Sequence, residues 1–285
     1  MFDTYMKLRE ILGLSAHLHD TFVGVGPKYP WGGLYGGQIV AQALSASAHT
    51  VDPDLDVHSL RSYFIRRGDP DQPVRYEVER IRDGKSFCTR RVVARQAGGV
   101  ILHLESSFQR AEGLIDVETI KIPAGIPPPD TLADDAWSDL FHRRWIPEAT
   151  FGAGAGAGAG PGAGQGAGRA TAWLKAREMI GDEQLLQRCV LAYLSDDLPG
   201  DAATRAHPIG KESSEIRHDA MFLASLDHSI WFHRPVRTDE WHLHDVACHS
   251  FVGGRGLTIG HVFGIDGTHV ATMAQEVLLR DNRDR

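Results

Sequence analysis

The same order of elements, one helix followed by a run of strands, is indicated twice along this chain, and that repetition constrains the fold most. In the first half, apolar residues recur with helical spacing over residues 36–48. Alternating or short apolar runs then predict strands at 74–78, 91–95 and 100–108. One helix followed by antiparallel strands is the layout of an α+β unit.

The second half repeats this layout. An apolar helical face covers residues 185–194, and we expect the helix to end before Pro199. Strand patterns follow at 230–233, 241–246, 257–265 and 270–279. Near their ends the halves match at a constant offset of 170 residues, since Gly84–Phe87 corresponds to Gly254–Leu257. We therefore predict a duplicated α+β fold, a double hotdog, in which each half wraps an antiparallel sheet around a central helix.

A Gly-Ala tract over residues 152–168 separates the two predicted halves. So much glycine has a large ordering entropy and offers almost no side chain to bury, so the tract is interpreted as a linker. A silk-like stacked strand is the alternative. The predicted boundaries are residues 1–115 for the N-terminal half, 116–171 for the connecting segment and 172–285 for the C-terminal half.

Composition limits the partners of the protein. The net charge of −7 argues against a nucleic-acid-binding surface, which normally carries clustered Lys and Arg. Three widely separated cysteines without a CxxC pair support neither a disulfide framework nor a zinc ribbon. No apolar run is long enough for a signal peptide or a membrane span. We expect a cytoplasmic protein.

Several motifs carry a family resemblance. The sequence Leu-Tyr-Gly-Gly-Gln-Ile-Val-Ala-Gln-Ala-Leu at residues 34–44 opens the first helix, and Arg-Asp-Gly-Lys-Ser-Phe follows at 82–87. In the second half, residues 224–235 read Ala-Ser-Leu-Asp-His-Ser-Ile-Trp-Phe-His-Arg-Pro. These blocks, in this order, resemble the type II acyl-CoA thioesterases over residues 5–110 and 172–281. The resemblance implies hydrolysis of acyl-CoA, without a separate cofactor.

The resemblance also implies the catalytic residues. Family members orient a water molecule with an Asp, a Thr or Ser, and a Gln, and the matching positions are Asp196, Ser225 and Gln275. The segment after Asp196 departs from the family pattern, which leaves Asp197 as an alternative base. Asp196 falls at the end of its helix, where the helix dipole should raise the pKa of the carboxyl group and its basicity. Ser225 and Gln275 suit the holding of a water molecule, and without a GxSxG motif Ser225 is not predicted as a nucleophile.

Two kinds of segment are candidates for substrate binding. The helix entry at Gly36, Gly37 and Gln38 offers free backbone N–H groups, although close packing of helix on sheet needs glycine equally. The turns at Lys85, Ser86 and Arg255 could place a cation near a CoA phosphate, or they could be solvated hairpin turns.

Two other functions use the same fold. An enoyl-CoA hydratase or dehydratase would need an Asp-His pair, for which Asp227, His228 and His233 are the available residues. A non-catalytic acyl-CoA binding protein would keep the fold without the polar trio. His242 and His244 share a strand face, but no familiar ligand spacing completes a metal site. The resemblance further implies a homo-oligomer, which a sedimentation run showing only a 31.3 kDa species would contradict.

Overall fold

The protein is described here by a computed structural model covering residues 5–113, 115–154, 168–213, 216 and 220–284. The helices are α1 (Leu8–Leu12), α2 (Gly36–Ala48), α3 (Gln184–Ser195) and α4 (Pro199–Ala206). The strands of the first half are β1 (Ser15–Leu18), β2 (Thr21–Gly24), β3 (Leu55–Phe64), β4 (Val74–Asp83), β5 (Phe87–Gln96) and β6 (Gly99–Arg110). The later strands are β7 (Phe141–Trp145), β8 (Arg169–Ala176), β9 (Met221–Ser225), β10 (Asp227–Phe232), β11 (His242–Val252), β12 (Arg255–Gly264) and β13 (His269–Asp281).

These strands form one antiparallel sheet. Its order is β1-β2-β4-β5-β6-β3-β10-β13-β12-β11-β8-β7, and β9 pairs with β13 beside this path. The sheet wraps around α2 and α3, so that α2 is buried from Gly37 to Ser47 and α3 from Leu186 to Ser195. Each half thus has the predicted α+β layout, a central helix against an antiparallel sheet, and the helix predicted at residues 36–48 is confirmed.

The two halves meet at an approximate twofold axis. In the pairing of β3 with β10, Leu60 lies opposite Ile230, and these two residues correspond to each other at the predicted offset of 170. His58 in β3 therefore corresponds to His228 in β10. By the same offset, Cys88 in β5 corresponds to Thr258 in β12. Cys88 pairs with Phe108 and Thr258 pairs with Gln275, so Phe108 is the counterpart of Gln275.

The segment predicted as a connector takes part in the C-terminal sheet. β7 lies within it and pairs with β8, Trp145 lying opposite Ala172. The Gly-Ala tract therefore joins two neighbouring strands of the second half, and its interpretation as the link between the halves is wrong. Most of the tract lies outside the described residues.

The prediction that α3 ends before Pro199 is confirmed, since the helix stops at Ser195. Pro199 then opens the short helix α4, for which the sequence analysis made no prediction. Proline suits the first turn of a helix because its missing N–H would have no partner there. Among the helices of the described residues, none is long and apolar enough to span a membrane.

Candidate active site

Asp196 is the centre of the candidate site. It caps the C-terminal end of α3, and its carboxylate accepts hydrogen bonds from three directions. Gln275 Nε2 donates to Oδ1 at 2.8 Å and Ser225 Oγ donates to the same oxygen at 3.2 Å. The backbone N–H of Gly37 donates to Oδ2 at 2.9 Å. The structure therefore brings together the three residues predicted to be catalytic.

Two neighbouring strands supply the partners of this carboxylate. Ser225 is the last residue of β9 and lies opposite Val277 on β13. Gln275 lies two residues before Val277, so its side chain points to the same face of β13, toward α3. Gln275 Nε2 also donates to Ser225 Oγ at 2.7 Å, which closes a triangle of three polar groups.

The start of α2 closes the site from the first half of the chain. A Cβ added to Gly37 would lie 2.2 Å from the backbone oxygen of Tyr193, and one added to Gly36 would lie 2.5 Å from Asp196 Oδ2. Only glycine allows this approach between the beginning of α2 and the end of α3. The two glycines therefore serve close packing, and the Gly37 N–H also binds the carboxylate, so the packing and polar interpretations both hold for this residue.

Burial determines the acidity of Asp196. The surrounding protein raises the pKa of its carboxyl group to about 6, against the lowering effect of the bonds from Gln275, Gly37 and Ser225. The predicted direction is confirmed, but the main cause is loss of solvation and not the dipole of α3. A carboxylate with this pKa is ionised at neutral pH and accepts a proton more readily than an ordinary aspartate.

Asp197 has a different environment. Both of its carboxylate oxygens lie 3.1 Å from Arg143 Nη1, and Trp137 Nε1 donates to Oδ1 at 2.6 Å. Its side chain is 2% exposed. Asp197 is thus held in an ion pair that anchors the end of α3 to β7, and Asp196 is the aspartate that meets Ser225 and Gln275.

An aromatic cluster lines the site next to α2. Tyr29 stacks on Trp31 with ring centroids 5.1 Å apart, and Tyr35 lies edge-on to Tyr193 at 4.9 Å. Trp137 contacts both Trp31 and Tyr35. Tyr35 is buried and Trp31 is 44% exposed, so the cluster runs from the interior to the surface. Burial first, and then the charge of Asp196, raises the pKa of the Tyr35 hydroxyl, which places this ring of the cluster beside the site.

His228 is a residue of the site that sequence reasoning missed in this role. Its ring is fully buried, with Nδ1 in hydrogen-bond contact with Gln275 Oε1 and Nε2 2.8 Å from Ser195 Oγ. The sequence considered it only as half of a hydratase pair. Its partners come from β13 and α3, far apart along the chain, so no local motif could have shown this contact.

The remaining substrate-binding candidates lie in different places. The Gln38 side chain is buried in the core, where Tyr29 Oη donates to its Oε1 at 2.9 Å. Lys85 and Ser86 are exposed at a hairpin beside Arg110, which pairs with the first residue of β3. Asp196 lies near Phe64, the last residue of β3. Because the ten residues of β3 are extended, its two ends, and with them Lys85 and Asp196, are about 30 Å apart. Within the chain, the structure does not bring Lys85 and Ser86 to the trio.

Arg255 lies at the same end of the sheet as the trio. Gly256, the next residue, pairs with Val277, which in turn pairs with Ser225. The Arg255 guanidinium is 2.8 Å from Glu276 Oε1. Because side chains alternate along a strand, Glu276 faces away from Gln275, and this ion pair lies on the outer face of the sheet.

The geometry does not favour the hydratase alternative. Asp227 Oδ1 accepts the N–H of Glu276, whereas His228 faces α3, and His233 Nε2 contacts Thr272 Oγ1. Consecutive strand residues point to opposite faces, so Asp227 and His228 do not form a pair. His242 and His244 lie on one buried face with ring centroids 5.1 Å apart, as predicted. In the described ranges, no group of three or more His, Cys, Asp or Glu residues could hold a metal ion.

Known families and structures agree with this architecture. A family model described as the acyl-CoA thioesterase N-terminal domain matches residues 26–109, and one described as the C-terminal domain matches residues 123–279. The solved structure of the acyl-CoA thioesterase II TesB2 from Mycobacterium marinum superposes with a TM-score of 0.80 at 35% identity, covering 96% of this chain and 97% of that chain. A protein with a hot dog fold from Alicyclobacillus acidocaldarius, 18% identical, superposes with a TM-score of 0.71, covering 96% of this chain and 97% of that chain. The predicted double hotdog fold is thereby confirmed.

Curated relatives give the same result over nearly the whole chain. The sequence is 36% identical over 287 residues to acyl-coenzyme A thioesterase 8 of Homo sapiens, covering 95% of this chain and 88% of that protein. It is 32% identical over 290 residues to acyl-CoA thioesterase 2 of Haemophilus influenzae, covering 98% of this chain and 99% of that protein. With both family models matched and both relatives above 30% identity, the chain belongs to the acyl-CoA thioesterase family.

Proposed function

We propose that this protein hydrolyses acyl-CoA thioesters to a carboxylic acid and CoA, using a water molecule held by Asp196, Ser225 and Gln275. The relatives named above as acyl-CoA thioesterases support the reaction. The observation that carries the proposal is the meeting of these three side chains, from α3, β9 and β13, around a carboxylate whose pKa burial raises to about 6.

In this mechanism Asp196 is the general base. Its carboxylate takes a proton from water while the water oxygen attacks the carbonyl carbon of the thioester. The tetrahedral intermediate then expels the thiolate of CoA, and the proton on Asp196 passes to the leaving sulfur. A base with a pKa about one unit below neutral pH is mostly ionised and still a good proton acceptor.

Ser225 and Gln275 hold the water and the base in place. The two N–H groups of the Gln275 amide point at Asp196 and at Ser225, and the Ser225 hydroxyl donates to Asp196. A water molecule entering this triangle exchanges one of these bonds for its own and becomes fixed beside the base. Fixed geometry of this kind converts a random encounter with solvent into an oriented attack.

We further propose which residues surround the thioester, and where and in what oligomeric state the enzyme works. Gly36 and Gly37 lie close enough to Asp196 to bound the position of the thioester, and Arg255 is the candidate cation at the same end of the sheet. The enzyme uses no cofactor of its own, and it works as a cytoplasmic homo-oligomer. Sedimentation and cell fractionation test the last two points directly.

Release of free thiol from a panel of saturated acyl-CoAs tests the reaction and the base together. We expect turnover by the wild type and a loss in kcat of at least about 100-fold in Asp196→Asn, because the amide cannot accept the proton. The matched control is His49→Asn, which changes the residue that caps the equivalent helix α2. We expect its kcat to stay within about twofold of wild type, since it lies outside the site.

Each other outcome has a definite meaning. Full activity in Asp196→Asn would move the base elsewhere while leaving the reaction intact. Thiol release from none of the acyl-CoAs, with hydration of an enoyl-CoA instead, would replace the thioesterase by the hydratase. Binding of acyl-CoA without any turnover would identify a binding protein.

A further inference from the structure

His228 lies directly behind the amide of Gln275. It is on β10, fully buried, with one ring nitrogen facing Gln275 Oε1 and the other 2.8 Å from Ser195 Oγ. Ser195 is the residue before Asp196 at the end of α3. A continuous chain of contacts therefore runs from the end of α3 through His228 and Gln275, and returns to Asp196.

The ring of His228 carries a single N–H at neutral pH. Burial lowers its pKa to about 4, so the neutral imidazole is the stable form. Two arrangements are then available. Either Nδ1–H donates to Gln275 Oε1 and Nε2 accepts from the Ser195 hydroxyl, or Nε2–H donates to Ser195 and Nδ1 accepts from the amide nitrogen of a rotated Gln275.

The charge on Asp196 decides between them. In the second arrangement Gln275 would point its carbonyl oxygen at Asp196 Oδ1, at the place where its nitrogen now lies 2.8 Å from that oxygen. Two acceptors would then face each other beside an anion in a poorly solvated site, and Ser225 would lose the amide donor at 2.7 Å. In the first arrangement the Ser195 hydroxyl must turn from Ala192 O, to which it donates at 2.9 Å, toward His228 Nε2. That exchanges one bond between neutral groups for another, whereas the second arrangement opposes a carbonyl oxygen to an anion.

We infer that His228, held by Ser195, is a positioning residue that locks the Gln275 amide with its N–H groups toward Asp196 and Ser225. The inference rests on the proposed catalytic role of Asp196, Ser225 and Gln275. His228 touches neither Asp196 nor the reacting water in this scheme, and it acts through Gln275 alone. Without it the amide can rotate, and a rotated amide opposes the base that it should support.

The first half of the chain supplies a matched control. His58 corresponds to His228 across the twofold axis, but Phe108 replaces Gln275 there, and His58 Nε2 contacts Ser107 Oγ at 2.8 Å. A histidine in the same fold position thus has no amide to orient. Replacing each histidine separately distinguishes a positioning role from a general effect of losing a strand histidine.

Kinetics of three variants test the role. In His228→Leu we expect kcat to fall by at least about 30-fold while KM changes less than about threefold, because the loss affects the reacting water and not acyl-CoA binding. His228→Asn keeps a donor near the position of Nδ1–H, and we expect it to recover kcat to within about fivefold of wild type. In His58→Leu we expect kcat to stay within about twofold of wild type. An Asn variant no better than Leu would contradict the inference.

A double-mutant cycle shows whether His228 acts through Gln275. If it does, His228→Leu combined with Gln275→Ala should be no slower than Gln275→Ala alone, within about twofold. If the loss of kcat in the double variant equals the product of the two single losses, His228 acts independently of Gln275, and the inference is overturned. Wild-type activity in Gln275→Ala would instead remove the proposed role of Gln275, so failure of the catalytic trio is recognised separately.

NMR of the wild-type protein tests the same point without any change of fold. With ¹⁵N- and ¹³C-labelled histidine, assigned by the signal missing in His228→Asn, we expect the neutral Nδ1–H tautomer for His228. The Nε2–H tautomer would mean that Gln275 is rotated, and it would overturn the inference whatever the kinetics show. If His228→Leu does not fold, this measurement still decides.

Discussion

The ends of α3 and α2 occupy equivalent places in the two halves, yet only the end of α3 brings a carboxylate together with a hydroxyl and an amide. At the end of α3, Asp196 meets Ser225 and Gln275. The counterparts of these three residues in the first half are His49, Leu55 and Phe108. Leu55 and Phe108 are buried in the core, and His49 Nδ1 lies 2.7 Å from Ser45 O of its own helix.

The difference shows how a duplicated fold divides its work. In the first half, Leu55 and Phe108 fill the positions of Ser225 and Gln275 and stabilise the core, while His49 is exposed. In the second half the same position holds a buried carboxylate, which costs solvation energy, as expected of the base proposed above. The fold alone therefore does not define the site, and the same backbone supports either use.

The largest expected effect breaks the contact between the halves. In Gly37→Ala the new Cβ would collide with Tyr193 O at 2.2 Å, so the start of α2 must move away from Asp196. We expect kcat to fall by about 100-fold or more, since a shift near 1 Å in a catalytic contact has that effect. Overpacking should also lower the free energy of unfolding by about 1–3 kcal/mol.

The control for this change is Gly98→Ala. A Cβ at Gly98 would have no heavy atom within 4 Å, and its backbone needs no positive φ. We expect its activity in the thiol-release assay and its urea unfolding midpoint to equal those of wild type. A Gly37→Ala enzyme that is as active as Gly98→Ala would show that the approach of the helices is not needed for the reaction.

The second effect compares the counterparts Phe108 and Gln275. Phe108 is 1% exposed, so Phe108→Ala should lower the free energy of unfolding by about 3–5 kcal/mol through the cavity it leaves. The kcat of the folded fraction should remain within about threefold of wild type. We expect the reverse for Gln275→Ala: a large loss of kcat with a smaller loss in the free energy of unfolding than in Phe108→Ala. Urea unfolding measures the stability of both variants, and thiol release measures their kcat. Equal losses of kcat in the two variants would contradict the expected difference between Phe108 and Gln275.

The smallest expected effect is the pH dependence of kcat/KM, which depends on Asp196 in the second half and on no counterpart in the first. Because Asp196 must be ionised to act as a base, and burial raises its pKa to about 6, kcat/KM should fall as pH decreases through that value. The expected slope below the pKa is about tenfold per pH unit, from a single ionisation. His49, the counterpart, contributes no second carboxylate. A profile that stays flat down to pH 4.5 would exclude Asp196 as the base.

The sequence predicted those parts of the structure that depend on local pattern. Helix α2 agrees with its apolar periodicity to the residue, and β10, β12 and β13 were found within a few residues of their ends, whereas the prediction for β11 covered only its first half. Strands β1, β2, β3, β8 and β9 were not predicted. β7 was missed because it is short and stands before the Gly-Ala tract, and α4 was missed because its proline was interpreted only as the end of α3.

The site was predictable only as far as the family motifs reached. They gave Asp196, Ser225 and Gln275, but a helix end cannot show which of two adjacent aspartates faces the strands. The structure places Asp197 against Arg143 and Trp137, two residues of the presumed connector. His228 was not recognised as a partner of Gln275 because such contacts depend on tertiary register and not on sequence spacing.

The pairing of β3 with β10 also affects how the protein resists aggregation. A separate first half would expose the whole edge of β3, ten residues long, to pairing with other chains. In the duplicated chain β10 pairs with the central part of that edge, from Ser59 to Tyr63. The strands left with one neighbour among the described residues are β1, β7 and β9, which have four, five and five residues. Short edges make poor templates for a foreign strand, so joining the halves in one chain also reduces the surface on which intermolecular sheets would grow.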